Sequence, residues 1–84
     1  MTTQRTATML NPWLLSVPNV GIVEIRSPGP YIARPAKDGD DDWPFWYVAG
    51  PDGRRNVVGF GRGAVLCTRE VAEAVVYAAN ETSG

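Results

Sequence analysis

The sequence predicts an α+β fold: a small antiparallel β-sheet of three to five strands with one C-terminal α-helix packed on a face. Three observations predict it. β-Branched residues crowd 20–26. The turn sequence Gly50-Pro51-Asp52-Gly53 joins two apolar arms. After Thr68, small apolar residues recur at helical spacing. A small β-barrel with an appended helix is the alternative arrangement. The chain has 84 residues, 44% apolar and 20% charged, which is enough for one modest core and too little for two domains. The expected organisation is a flexible polar tail over 1–8, a single domain over 9–80 and a frayed end over 81–84.

Residues 1–8 are Thr-rich and offer little to bury. Trp13, Leu14 and Leu15 need a dry environment, so 9–17 should drape over the core as an irregular or one-turn segment. Asn11 before Pro12 suits a helix N-cap followed by proline at the first helical position. Docking of this segment on a partner is the other option.

Val20-Gly-Ile-Val-Glu-Ile-Arg26 reads as a strand. Ser27-Pro28-Gly29-Pro30 has the type II turn pattern, with Gly29 supplying a positive φ. Tyr31–Arg34 then returns as a short edge strand, because Pro30 and Pro35 bound it and proline donates nothing to a ladder.

Residues 36–42 form a loop bearing Asp38, Asp40, Asp41 and Asp42. The acids do not follow the EF-hand order, so a solvated, self-repelling loop is expected rather than a calcium site. An acidic patch that steers a basic partner is the remaining reading.

Phe45–Ala49 is strongly β-prone, and Arg54–Phe60 returns after the turn. A three-residue loop sets Gly50 opposite Arg54, which pairs Trp46 with Val58 and Tyr47 with Val57. Trp46, Val48, Val58 and Phe60 then form the core face. Phe45, Tyr47, Val57, Gly59 and Gly61 form the other, where aromatic rings lie over bare glycine backbone. Residues 64–67 look extended. Thr68 caps a helix over about 69–80, with Val71, Ala74, Val75 and Ala78 on its apolar face, Ala72, Val76 and Ala79 widening it, and Asn80 ending it in the left-handed region. Glu70, Glu73, Tyr77 and Asn80 fall on the polar side.

Composition excludes several functions. The chain has no histidine, which removes the usual near-neutral base and the commonest metal ligand. Cys67 is its one cysteine, so no intramolecular disulfide or Cys/His zinc site forms within it; a structural thiol is expected. Paired carboxylates sit in the Asp loop or on the helix exterior, where nothing desolvates them for acid–base work. No catalytic residue, metal or cofactor is assigned. Net charge is −1, and neither half of the chain is a basic arm. Gly59-Phe60-Gly61-Arg62-Gly63 lacks the lysine of a phosphate-binding loop and the spacing of a dinucleotide fingerprint. Arg54, Arg55 and Arg62 near Phe60 allow a nucleic-acid surface as an alternative, but three arginines are few for one, and nucleic acid is not the expected partner. No run of about 20 apolar residues is present to span a bilayer, and no secretory leader is recognisable. The protein is expected in the cytoplasm.

What remains is an aromatic surplus beside charge. Trp43, Phe45 and Tyr47, with Asp40, Asp41 and Asp42 and with Arg54, Arg55 and Arg62, make the candidate partner-binding set. Trp46 is expected in the core and Trp43 partly exposed. Homodimerisation through strand edges and a role as a subunit of a larger complex are compatible with the same features. Val, Ala, Gly, Pro and Arg make up half of the chain, and arginine outnumbers lysine seven to one. With the Thr-rich start, the run Phe45–Arg54 and the helix opening Thr68-Arg69-Glu70, this style resembles small accessory proteins of bacteriophages that infect actinobacteria. The resemblance implies a non-enzymatic protein that binds a host protein and inhibits or redirects it, in the host cytoplasm. It transfers no functional residue.

Overall fold

Six short strands precede one helix in the computed structural model, which describes residues 7–55, 57–61 and 66–83. The strands are β1 (Thr8–Asn11), β2 (Leu14–Val17), β3 (Gly21–Ile25), β4 (Ile32–Pro35), β5 (Trp46–Ala49) and β6 (Val58–Gly59); α1 spans Arg69–Ser83. They form a four-stranded antiparallel sheet ordered β1-β2-β3-β6 and a two-stranded sheet of β4 and β5. The helix packs on β4, β5 and β2. The fold is therefore α+β, with a small antiparallel sheet and one C-terminal helix on the strands.

Residues 9–17 fold as a β-hairpin, not as an irregular or one-turn segment. Leu14-Leu-Ser-Val17 alternates toward the core, with Leu15 and Val17 buried, and pairs with β3 in the register Leu15 to Val23. Asn11 does cap a backbone group, but in a turn: its Oδ1 accepts the Trp13 N–H at 3.0 Å. Thr8, placed with the tail by sequence, belongs to β1. Ala7, also placed with the tail, packs against the core, and residues 1–6 lie outside the described residues.

The turn after β3 also departs from expectation. Gly29 does not take a positive φ, and the Gly29–Pro30 peptide bond is cis. A side chain at Gly29 would meet the ring of Tyr31, which is buried and donates from its hydroxyl to the Ser27 carbonyl at 2.6 Å. The following strand, β4, pairs with β5 and not with β3.

The turn at 50–53 forms as expected. Gly53 adopts φ 70°, and the Gly50 N–H donates to the Arg54 carbonyl at 2.9 Å. Beyond that bond the arms part. Trp46 stands opposite Pro35 and bridges Cys67, while Val58 stands opposite Ile25. The expected Trp46–Val58 pairing is absent because each arm is apolar on both faces and joins a different sheet. All four residues of β5 are buried, as are Val57, Val58 and Gly59. Tyr47 and Val57 are thus as deep as the face expected to form the core, and Phe60 is only half-buried. Gly59 admits not an aromatic ring but the Arg26 guanidinium, which would lie 2.8 Å from a Cβ there.

Thr68 caps α1: its Oγ1 accepts the Val71 N–H at 3.2 Å. The helix buries Ala72, Val75, Ala78 and Ala79, whereas Ala74 faces outward. It continues through Ser83, into the stretch expected to fray. Asn80 does not end it. The Asn80 side chain instead accepts from the Tyr31 N–H at 2.8 Å and donates to the Tyr31 carbonyl at 3.0 Å. This bidentate clasp ties α1 to the start of β4. The core gathers Leu15, Val23, Trp46, Val48, Val57 and Val75, with the smaller apolar residues between them.

Candidate interaction surface

The turn at 50–53 and the acidic loop meet beside β5. The Arg55 guanidinium lies over the Tyr47 ring at 4.8 Å and reaches the Asp38 carboxylate at 3.7 Å. Arg34, opposite Tyr47 in the ladder, and Asp41 line the same shallow cleft of about 440 Å³. Opposite charges therefore face each other across it. Asp38 already faces the Arg55 guanidinium, which opposes an added anion there.

The acidic loop is held by its own backbone. The Asp40 Oδ1 accepts the Asp42 N–H at 3.1 Å, and the Trp43 N–H donates to the Asp40 carbonyl at 3.1 Å. Asp41 and Asp42 are exposed. Among the described residues, no group of three or more His, Cys, Asp or Glu is arranged to hold a metal ion.

Trp43 is half-buried. Its ring carries the Lys37 ammonium at 5.0 Å, and its carbonyl accepts the Trp46 indole N–H at 2.9 Å. Phe45 is the aromatic most available on this side, 52% exposed at the entrance to β5. Tyr47 is buried under Arg55, so it supports the surface without forming it. Arg54 is exposed, and Arg62 lies outside the described residues together with 63–65. The structure thus brings Arg55, Tyr47, Asp38 and Asp41 together. It leaves Phe45, Asp42 and Arg54 open to solvent.

Sequence reasoning set Tyr77 on the outer side of the helix but missed other exposed apolar side chains: Leu10, Trp13, Ile22, Ile32 and Leu66. Tyr77 had a usable signal, since helical spacing put it on the outer side. Ile32 had none, because its exposure depends on which strand β4 pairs with.

A separate apolar hollow of about 690 Å³ opens between β1, Tyr31 and the end of α1. The Asn80 amide at its wall is already bonded to Tyr31, and Arg26, Ser27 and Thr82 are the other polar residues that line it. Cys67 is half-buried, its Sγ 3.7 Å from the Trp46 carbonyl, and burial pushes its thiol up to about 11. Desolvation there disfavours the thiolate, the reactive form of the side chain. No helix is long and apolar enough to cross a membrane among the described residues. Compared with family models, curated proteins and solved structures, the chain matches none.

Proposed function

We propose that the chain is a small non-enzymatic protein–protein interaction module. The observation that carries this reading is the amount of large apolar side chain left in water. Trp13, Phe45 and Tyr77 are each more than half exposed on a chain of 84 residues. Scattered exposed apolar residues are ordinary on a protein surface, but exposed aromatics are the side chains that dominate interface energies. Phe45 beside the loop at Asp40, Asp41 and Asp42 is the contact surface: an apolar anchor with an acidic rim that favours a basic partner surface.

The resemblance in sequence style supplies the source of the partner, a bacterial host protein that the module inhibits or redirects. A nucleic-acid target is less favoured, because Arg55 is engaged by Asp38 and Tyr47.

Capture from a nuclease-treated bacterial lysate tests the proposal, with wild type beside Phe45→Ser. Wild type is expected to retain one bacterial protein stoichiometrically, and Phe45→Ser to retain at least about tenfold less, the loss of one interface anchor. Equal retention by both would contradict the assignment of Phe45.

A further inference from the structure

The outward face of α1 is acidic around an apolar centre. Glu70, Glu73, Tyr77 and Glu81 follow one another at helical spacing and share that face, with exposed Ala74 between them. Tyr77 is 70% exposed. Beside it stands Ile32 of β4, 53% exposed, across a shallow groove of about 660 Å³ floored by Ala33 and Val76.

The charge of this face is largely uncompensated. Arg69 is drawn to Glu73 at 3.4 Å and lies over the Trp46 ring. Among the described residues, neither Glu70 nor Glu81 has an ion-pair partner. Glu81 also stands in the last turns of the helix, where the carbonyl ends already present negative potential and no basic residue offsets it.

Two occupants fit badly. An added strand finds little to bind on the β4 edge: Asn80 occupies the Tyr31 N–H and carbonyl, and Pro35 has no N–H. By ladder alternation only Ala33 between them points its backbone groups outward. A second copy of this chain, docked by a twofold axis, would set Glu70, Glu73 and Glu81 against the same residues of its mate.

We infer that this groove takes a basic amphipathic helix of a partner protein. Its apolar anchor sits between Tyr77 and Ile32, and its lysine or arginine flanks face Glu70 and Glu81. The inference rests on reading the chain as an interaction module, but not on the Phe45 surface.

Titration of the full chain, isotopically labelled for NMR, with a synthetic helix-forming leucine–lysine peptide tests it. A leucine–glutamate peptide of the same pattern is the control. Saturable shifts are expected at Ile32, Ala33, Val76 and Tyr77. Affinity should fall at least about tenfold in Tyr77→Ser and again in Ile32→Ser. Glu70→Gln with Glu81→Gln should weaken binding and flatten its salt dependence. Tyr77 is mostly exposed, so its variant should keep the wild-type circular dichroism. The inference is overturned by absence of saturable binding, by equal binding of the acidic peptide, or by shifts confined to the loop at 38–42. Phe45→Ser should bind the peptide like wild type. Equal retention of the lysate partner by wild type and Phe45→Ser, with peptide binding intact, therefore counts against the Phe45 surface alone.

Discussion

Cys67 illustrates how position overrides residue type. A thiol is reactive as the thiolate, and desolvation at Cys67 raises its pKa from 9.0 to about 11. Modification by a disulfide reagent at mildly alkaline pH should be roughly a hundredfold slower than in urea, following the drop in thiolate fraction. The same shift affects stability. The unfolded thiol ionises near 9.0 and the folded one near 11, so the stabilising contribution is complete below 9.0 and declines as pH rises toward 11. Tyr31, whose burial also raises its pKa, acts in the same direction. Stability to urea should accordingly fall across that alkaline window, and Cys67→Ala should reduce the slope. An unchanged slope would remove Cys67 as its origin.

At the scale of elements, the informative contact is the clasp between α1 and β4. Asn80→Ala leaves the Tyr31 N–H and carbonyl without their partner in a part-buried place. The expected loss is about 1–3 kcal/mol by urea denaturation, the typical penalty for unpaired buried backbone groups. Glu81→Ala, one residue on and exposed, should change stability by no more than about 0.5 kcal/mol. Equal effects of the two variants would mean that the clasp contributes nothing. Asn80 also marks where reading the sequence stopped short. Local preference gives asparagine near a helix end a capping role; only the approach of Tyr31 from 49 residues away reveals the other use. The arms around Gly50–Gly53 carry the same lesson. Turn chemistry correctly fixed Gly50 opposite Arg54, yet it says nothing about a strand apolar on both faces once the turn is left. Trp46 went to Pro35 and Cys67, Val58 to Ile25. Thr68 and the β3 strand were legible because a cap and a β-branched run are local features. The α1 face was half legible, since an alanine-rich helix offers two overlapping apolar stripes and Ala72, not Ala74, was buried.

For the whole molecule, the two sheets and α1 consume the apolar residues that pack and strand a set that does not. Of the aromatics singled out by sequence, Tyr47 turned inward beneath Arg55, Trp43 settled halfway, and Phe45 remained outside. That division depends on how the chain pairs over long range, which is why residue type alone could not rank them. Charge is divided as well. Arg55 and Asp38 neutralise one another, while Asp41, Asp42, Glu70 and Glu81 remain in solvent. The proposed protein contact, made by apolar anchors with acidic rims, should survive salt. Phosphate contact is lost steeply as counterions compete. The most direct test is to follow the fraction of bacterial partner held by the wild-type chain, after nuclease treatment, as salt is raised. One protein should be retained with only a modest decline, because apolar burial outlasts the screening of its acidic rim. Release of nucleic acid alone, or a bound fraction that collapses with salt and is indifferent to Phe45→Ser, would contradict it.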